Sequence, residues 1–432
     1  MPLPSPLGRA RAWLARWSAL MPLFVAEFIL WVGFGALLPV MPFWFTEHGV
    51  DLAMLGLVIA AWPATRLVAE PVFGWIADRT PRVPLMVAGL VIAGVAVGLS
   101  LVWTGPLPFL LLRALAGFGT AIYDPAARGY LTDTAPAGGR GEVFGMYGAA
   151  QMSGLLFGPA IGGIGASLVG GFAFVFAFSA IASVVAALAI ALRVREGTRG
   201  TGAPRLPATG VAEFPAEGAP SEASAASDPH SAHRHGGPVP PTRIMNRLVV
   251  AAVVFNVGGW FAGGMYEVVW SLFLDSLGAG LDLIGLTFAM FGLPVLLLSP
   301  WAGRQVDRRG PMTFILIGAL CTTVTMLSYP FVTDPVLVVP LIVIEGFGFA
   351  LQGPALYAVV AAGTPPGRSS TVQGVYGAFG TLATIVASVV GGLIATWDLR
   401  YPFWLGGVTL IVVVAIAVTV DGGRIRAAFR GA

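Results

Sequence analysis

The amino-acid sequence predicts an all-α integral membrane protein in which twelve transmembrane helices form two pseudo-symmetric six-helix bundles. Hydrophobic residues make up 56% of the 432 residues and charged residues only 10%, compared with about 25% charged residues in soluble proteins. The apolar segments are continuous and do not alternate with polar residues, which favours membrane-spanning helices over strands. The second observation is an internal repeat at an offset of 229 residues, and the third is a strongly one-sided distribution of arginine.

The repeat carries glycines, prolines and an Asp-Arg pair from the first half of the chain into the second. Gly74, Asp78, Arg79, Gly117, Pro125, Gly162 and Gly163 return as Gly303, Asp307, Arg308, Gly346, Pro354, Gly391 and Gly392. Each copy is far longer than the roughly 20 to 50 residues of a solenoid unit, so the duplicated unit is a domain. We therefore expect an N-terminal bundle over 1–195, a linker over 196–245 and a C-terminal bundle over 246–432.

Charges, prolines and glycines bound the twelve predicted helices. Helices 1 to 12 cover residues 20–45, 53–77, 84–103, 107–134, 141–167, 171–194, 247–275, 283–303, 312–331, 336–362, 370–396 and 401–420. The linker is rich in Ala, Pro, Gly and Ser, which predicts a disordered tether. Its histidines His230, His233 and His235 are chemically competent metal ligands. We favour a tether that merely tolerates them, and expect neither a metal nor a cofactor.

Arginine alone sets the predicted orientation, because the chain has 24 arginines and no lysine. Twenty of them fall on one side of the alternating topology and Arg400 alone on the other, while Arg66, Arg113 and Arg128 lie inside helices. The positive-inside rule then places both termini and the linker in the cytoplasm. The membrane is expected to be the plasma membrane. The basic start runs directly into helix 1 and predicts no cleaved signal. With Cys321 as the one cysteine, an intramolecular disulfide is excluded.

Four motifs carry a family resemblance. They are "GWIADRTPR" (74–82) after helix 2, "GRQVDRRG" (303–310) after helix 8, "RALAGFG" (113–119) in helix 4 and "GLLFGPAIGG" (154–163) in helix 5. Together they resemble the motifs of the major facilitator superfamily, and the helix 5 motif resembles that of its drug:proton antiporter branch. The first loop has Pro81 where the family usually has glycine, and the second has Pro311 where it usually has arginine. The resemblance implies the major facilitator fold and transport by alternating access.

The loop motif implies a latch on the cytoplasmic side. In the family the aspartate faces the start of helix 11, which here means Asp78 near Ser369 and Ser370, where a helix N-terminus can bind a carboxylate. The resemblance also implies that Arg82 engages Asp133. The latch residues are accordingly Gly74, Asp78, Arg79, Arg82 and Asp133, with Gly303, Asp307 and Arg308 in the second copy. The alternative is that these charges only fix the topology.

The helix 5 motif has two open interpretations. Its members are Gly154, Gly158, Pro159, Gly162 and Gly163. Small residues at this spacing let a neighbouring helix approach closely, and the proline removes one backbone donor. The motif is therefore either a packing surface or a bend point that controls leakage.

Charged residues inside the helices lie on stripes with helical spacing. The stripes are Glu27, Trp31, Phe34 and Leu38 on helix 1; Arg113, Gly117, Thr120, Asp124 and Arg128 on helix 4; Asn256, Trp260, Gly263 and Glu267 on helix 7; and Glu345, Phe349 and Gln352 on helix 10. The resemblance implies that helices 1, 4, 7 and 10 line a central cavity, so the stripes are expected to face one another. Ionisable residues within the membrane are costly and mark functional sites.

The two halves differ in how their charges can pair. Arg66, Arg113 and Arg128 can balance the acids of the first half, Glu27, Glu70 and Asp124, whereas Glu267 and Glu345 have no arginine within their own repeat. Burial without a partner disfavours a charged carboxylate, which makes Glu345 and Glu267 the leading proton carriers. If an arginine of the first half reaches Glu345, the assignment moves to Glu27 or Asp124. Alternatively, the two acids lie in a wet cavity and have no coupling role.

The sequence predicts a secondary transporter that exports amphipathic, drug-like compounds in exchange for protons. The candidate cavity residues are Trp31, Arg113, Asn256, Trp260, Phe349 and Gln352. The expected partners are a small-molecule substrate, protons and the lipid bilayer, with no nucleic acid and no second copy of the chain. No nucleotide-binding loop or catalytic triad points to an enzyme. One alternative is a proton-coupled importer or facilitator of a polar nutrient or organic anion, with Arg113 as a carboxylate clamp; another is a non-transporting sensor or scaffold.

Overall fold

The computed structural model of the chain describes residues 17–135, 140–196, 243–365 and 369–428, with side chains at 140, 141, 369, 370 and 418–428 left out of the description. Its long helices are numbered α1 to α12. They are Met21–Leu37 (α1), which Met41–Glu47 continues after a bend of 48°, Leu52–Ala77 (α2), Arg82–Leu99 (α3), Pro106–Thr134 (α4), Arg140–Val169 (α5), Ala173–Arg193 (α6), Arg247–Ser276 (α7), Leu281–Arg309 (α8), Met312–Ser328 (α9), Val338–Gly363 (α10), Ser369–Ala395 (α11) and Tyr401–Ala428 (α12). Within these described ranges there is no β-strand.

Most helix ends lie within a few residues of the predicted spans, while α8 and α12 end later than predicted, at Arg309 and Ala428 rather than at 303 and 420. Ten of them are long and apolar enough to cross a membrane, and α1 becomes an eleventh when its bent pair is counted as one span. The last helix, α12, has a shorter apolar stretch over Tyr401–Ala417. The prediction of an all-α membrane protein is confirmed. The predicted linker falls largely outside the described residues, as do its three histidines.

Polar groups at the helix starts explain several boundaries. Asp51 caps α2 by accepting the backbone N–H of Met54 at 2.8 Å, and Asn246 caps α7 by accepting two backbone N–H groups. The carboxylate of Glu196 accepts the first two N–H groups of α3, from Arg82 and Val83, each at 2.8 Å. These caps satisfy donors that have no partner within the helix.

The two halves repeat the same packing scheme. In the first half α1 packs against α5 and α6, α4 packs against α2 and α3, and α3 packs against α6. Shifting every number by six gives the second half, in which α7 packs against α11 and α12, α10 against α8 and α9, and α9 against α12. The sequence repeat therefore corresponds to a repeat of three-dimensional packing.

Glycine pairs join the halves at one side of the membrane. The halves meet along α2 with α11 and along α5 with α8. A Cβ atom at Gly392 would lie 2.8 Å from the Cα of Gly56, and one at Gly163 would lie 2.9 Å from the Cα of Gly285. The repeat offset converts one pair into the other, and only glycine permits such close helix contact. These contacts lie at the ends where α2 and α8 begin. We call this the opposite side of the protein, because the arginine-rich loops lie at the other ends of these helices.

The halves separate towards the other side, the arginine-rich side, where α2 and α8 end. Eighteen residues are five helical turns, so Gly145 lies on the same face of α5 as Gly163, about 27 Å away. A Cβ atom at Gly145 would meet no atom within 4 Å, and the same is true at Gly374, which shares the face of Gly392 on α11. The cleft between the halves is therefore closed at the opposite side and open at the arginine-rich side.

Candidate functional site

The four candidate proton-coupling acids fall into two classes by their partners among the described residues. Asp124 on α4 and Glu267 on α7 form ion pairs with arginines. Glu27 on α1 and Glu345 on α10 accept hydrogen bonds only from neutral groups. All four were predicted as candidate proton-coupling residues, and their roles stay predictions.

Asp124 belongs to a charge cluster between α2 and α4. Its carboxylate pairs with Arg66 and lies 3.6 Å from the guanidinium of Arg128. Arg66 also pairs with Glu70, one turn further along α2. Two arginines and two acids balance within the first half, so the cluster is a locally neutral unit.

Glu267 pairs across the two halves. Its Oε1 lies 3.6 Å from Nη2 of Arg113, which belongs to α4 of the first half. That distance is too long for a hydrogen bond, and Nε and Nη2 of Arg113 are buried with no hydrogen-bond partner among the described residues. An arginine of the first half thus reaches Glu267, whereas no arginine among the described residues pairs with Glu345.

An aromatic side chain that the sequence analysis did not select lies beneath these arginines. The guanidinium carbon of Arg66 is 4.5 Å from the ring centroid of Trp62, and that of Arg113 is 5.9 Å away. The Trp62 ring in turn contacts Phe34, with centroids 5.3 Å apart. Trp62 therefore connects the aromatic stripe of α1 to both arginines by cation–π contact.

Glu27 is fully buried among three neutral donors. Trp31, one turn away on α1, donates its indole N–H at 2.8 Å. Gln151 of α5 donates its side-chain amide at 2.5 Å, and Tyr123 of α4 donates its hydroxyl to the other carboxylate oxygen. Three helices of the first half therefore converge on one carboxylate.

Glu345 is 4% exposed and accepts two tyrosine hydroxyls. Tyr266 of α7 and Tyr329 of the turn after α9 each donate to Oε2 at 2.7 Å. The two tyrosine rings pack against Trp270 and Phe403, with centroid distances between 5.1 and 5.6 Å. Glu345 therefore points into the interior of the second half and not across the cleft.

The predicted cavity residues divide into packed and accessible ones. Asn256 is 4% exposed and donates to the carbonyl oxygen of Tyr376, and Gln352 is 8% exposed. Trp260 and Phe349 are 51% and 43% exposed. Both amides are thus buried within the second half, and the accessible cavity candidates include two aromatic side chains. Among the described contacts, Arg113 with Glu267 is the pair that joins stripes of different halves.

The loop motif after α2 builds a charge network on the arginine-rich side. Arg82 pairs with Asp133 at 2.9 Å and lies 3.8 Å from Asp78. The side chain of Asp78 is 74% exposed. The side chains of its expected partners at 369 and 370 lie outside the described residues, so the latch stays a prediction. Arg79 stacks over Trp75 at 4.0 Å, and the second-copy residues Gly303, Asp307 and Arg308 lie in the last turns of α8.

The helix 5 motif is used for close packing. Cβ atoms at Gly154 and Gly158 would lie 2.6 Å from Trp31 Cβ and from the carbonyl oxygen of Val32. Gly162 likewise abuts Ala36 of α1, and Gly163 meets α8 of the other half. Helix α5 runs as one element through Pro159. The packing interpretation accounts for this geometry, and a bend during transport stays a prediction.

Sequence reasoning missed the neutral donors around the buried acids: Tyr123, Gln151, Tyr266 and Tyr329. Each is a polar residue within or next to an apolar helix, and that is the signal that could have found them. The contacts that matter join different helices, so spacing along one helix did not reveal them.

Comparison with known proteins identifies the family. The family model described as Major Facilitator Superfamily matches residues 23–266 and 249–425. The chain therefore belongs to the major facilitator superfamily of membrane transporters, as the motifs predicted.

Several bacterial proteins are similar to the chain in sequence. Multidrug resistance protein 2 of Bacillus subtilis (strain 168) is 23% identical over 395 residues, which cover 89% of this chain and 90% of that protein. The staphyloferrin B transporter of Staphylococcus aureus (strain NCTC 8325 / PS 47) is 30% identical over 168 residues. Quinolone resistance protein NorA of Staphylococcus aureus (strain MRSA252) is 27% identical over 155 residues. The last two matches cover 38% and 36% of this chain and 40% of each relative.

Solved transporter structures share the fold. A bacterial homolog of the human lysosomal transporter Spinster, in an inward-facing and occupied conformation, superposes with a TM-score of 0.71 at 15% identity, covering 97% of this chain and 99% of that one. A point mutant of the nucleoside transporter NupG gives a TM-score of 0.72 at 12% identity, with coverage of 93% and 99%. At these identities the likeness concerns the fold alone.

Proposed function

We propose that this protein exports small amphipathic, drug-like compounds from the cytoplasm in exchange for protons, working by alternating access as a monomer in the plasma membrane. The arginine-rich side then faces the cytoplasm, because positively charged loops are retained there. In the present conformation the cleft is open on that side. A cytoplasmic compound could enter between the halves.

The environment of Glu345 carries the proposal. Its carboxylate is buried and accepts two phenolic hydroxyls, and no arginine among the described residues pairs with it. A buried charge without a counter-charge is costly, so a carboxyl group in this setting is suited to take up and release a proton during each cycle. Glu27 has the same character in the first half. Glu267 and Asp124, with arginine partners, are the weaker candidates.

The accessible side chains of the stripes support an amphipathic substrate. Trp260 and Phe349 expose about half of their surface, and Trp31 is half-buried. Aromatic faces bind apolar and cationic groups of ligands. Two of the relatives reported above are named for resistance to drugs or quinolones, which agrees with such a substrate without defining it.

Transport in everted membrane vesicles tests the proposal. With a proton gradient imposed, wild-type vesicles should accumulate a fluorescent amphipathic probe, and Glu345→Gln should lose the gradient-dependent part. Glu47→Gln is the matched control, since Glu47 is exposed at the end of the α1 continuation. Accumulation that persists after the gradient is collapsed would rule out antiport, and unchanged coupling in Glu345→Gln would remove Glu345 from the mechanism.

A second function, transport of an organic anion, is favoured by one observation. Two buried nitrogens of Arg113 have no hydrogen-bond partner among the described residues, and a guanidinium can bind a carboxylate through two N–H groups. Uptake of a radiolabelled aromatic carboxylate into right-side-out vesicles, lost in Arg113→Met, would support it. Equal uptake by both proteins would dismiss it.

A further inference from the structure

Two adjacent residues of α7 connect the buried acid to the other half of the protein. Tyr266 donates its hydroxyl to Glu345 within the second half, and Glu267 faces Arg113 of the first half. Consecutive residues of an α-helix point about 100° apart, so one short segment of α7 contacts both partners. A movement of this backbone segment that shifts Tyr266 therefore shifts Glu267 as well.

We propose that Tyr266 is a positioning residue that transmits the protonation state of Glu345 to the ion pair between Glu267 and Arg113. This inference rests on the proposed function, in which Glu345 gains and loses a proton. Hydrogen bonds to a charged carboxylate are about twice as strong as those to a neutral group. When Glu345 is protonated, the hydrogen bond from the Tyr266 hydroxyl to its carboxyl group weakens. The segment of α7 that carries Glu267 is then freer to move.

The ion pair is suited to respond to a small displacement. Its 3.6 Å separation is just beyond hydrogen-bond distance, and Nε and Nη2 of Arg113 have no described hydrogen-bond partner. A shift of well under 1 Å either completes a hydrogen bond or weakens the pair. Because this pair joins the halves, its strength affects how they sit against each other.

The surroundings of Glu345 leave few other groups that could respond to pH. On α7 the neighbouring titratable groups are Tyr266 itself and Glu267, and from the α9 side Tyr329 faces the carboxylate. The Thr325 hydroxyl, which does not titrate, also lies beside the carboxylate and donates to backbone carbonyls of its own helix. The charged residues of α8 lie at its two ends, and α12 contributes the apolar ring of Phe403. The tyrosine pair is therefore the principal contact through which Glu345 acts.

Tyr329 provides a matched control inside the same site. It donates to the same carboxylate oxygen at the same distance, 2.7 Å, but it belongs to the turn Tyr329–Phe331 and not to the helix that carries Glu267. Phenylalanine at either position removes the hydroxyl and keeps the ring contacts with Trp270 and Phe403. The two variants lose equivalent hydrogen bonds and differ in their connection to the cross-half ion pair.

Two measurements separate the roles. The first is an infrared pH titration of the protonated carboxyl band that disappears in Glu345→Gln. The second is the distance between spin labels at positions 171 and 333, exposed loop residues of different halves on the opposite side, in a Cys321→Ser background. In the wild type, we expect the label distance to change with pH, with the same midpoint as the Glu345 titration.

Both tyrosine variants should raise that midpoint by about one pH unit, because each loses a hydrogen bond to a charged group. In Tyr329→Phe the label distance should still follow the shifted titration, whereas in Tyr266→Phe it should not. Tyr357→Phe, an exposed hydroxyl on α10, should change neither measurement. The inference is overturned if the distance in Tyr266→Phe follows the titration as it does in Tyr329→Phe, or if neither variant moves the midpoint.

Transport by Glu345→Gln distinguishes this failure from a failure of the proposed function. If Glu345→Gln keeps proton-driven transport, the proposed coupling role of Glu345 is wrong. If Glu345→Gln loses coupling while both tyrosine variants behave alike, only the role of Tyr266 is wrong.

Discussion

The two ion-paired interior acids differ in what remains when one arginine partner is removed. Taking Arg113 away leaves Glu267 as an uncompensated charge, because no second arginine pairs with it among the described residues. Taking one arginine from Asp124 leaves the other in place. Loss of one arginine therefore affects the cross-half pair more, and Arg113 is also more buried than Arg66 or Arg128.

We expect Arg113→Met to lower the free energy of unfolding by about 3 kcal/mol, because removal of one partner strands the other charge in a desolvated site. Adding Glu267→Gln should restore a large part of that loss, since the remaining group is then neutral. Denaturant unfolding in detergent micelles measures both effects. Arg400→Met, at an exposed loop position, is the control. A double variant as unstable as Arg113→Met would show that packing, and not charge, dominates at this site.

Helical spacing predicted the contacts within one helix and missed those between helices. The one-turn spacing of Arg66 to Glu70 and of Glu27 to Trp31 corresponds to observed contacts. The tyrosine donors to Glu345 come from α7 and from the turn after α9. Their approach depends on helix rotation and tilt, which a single chain's periodicity does not contain.

Whole helices were predicted more completely than their side-chain partners. Hydropathy fixes length and position because the bilayer has a set thickness, and the repeat fixes the grouping in two sets of six. The break in α1 between Leu37 and Met41 was not predicted, since the apolar run continues through it. The 3₁₀ turn that presents Tyr329 was missed for the same reason.

The contact between α1 and α5 gives a prediction about the helix 5 motif. A Cβ atom at Gly158 would lie 2.6 Å from the carbonyl oxygen of Val32 and 2.8 Å from the Cα of Gly35. Gly158→Val should therefore force the two helices apart and cost about 2 kcal/mol of stability, the usual penalty for overpacking. Thermal unfolding of the purified protein measures it. Gly148→Val on the same helix, where a Cβ atom meets nothing within 4 Å, should cost much less; equal losses would mean that helix propensity alone is responsible.

Glycines recur near both ends of the four helices along which the halves meet, α2, α5, α8 and α11. We call these contacts the seam between the halves. Moving 18 residues along α2 and 18 back along its antiparallel neighbour α11 leads from Gly56 and Gly392 to Gly74 and Gly374. The same step on α5 and α8 leads from Gly163 and Gly285 to Gly145 and Gly303. Eighteen residues return to the same helix face, so the four outer positions lie in register with the four that make contact at the opposite side.

The outer glycines do not meet across the seam in this conformation. The nearest atoms to a Cβ at Gly74 and at Gly303 are those of Pro125 at 3.8 Å and Pro354 at 3.9 Å, each in the same half as its glycine. Gly145 and Gly374 have no atom within 4 Å of a Cβ. Alternating access requires the arginine-rich side to close when the opposite side opens. The register predicts which residues then come together.

We expect cysteines at positions 145 and 303, in a Cys321→Ser background, to form a disulfide when substrate and a proton gradient drive the transport cycle. The bond requires Cα atoms about 4.4 to 6.8 Å apart, which closure of the arginine-rich side would provide; in the present conformation a Cβ atom at neither position has an atom of the other half within 3.9 Å. Once formed, it should stop transport until a reductant is added. Cysteines at 148 and 303 are the matched control, because Gly148 is equally unobstructed but about 60° away from Gly145 around α5. Equal cross-linking of the two pairs, or full transport by the cross-linked protein, would contradict closure along this glycine register.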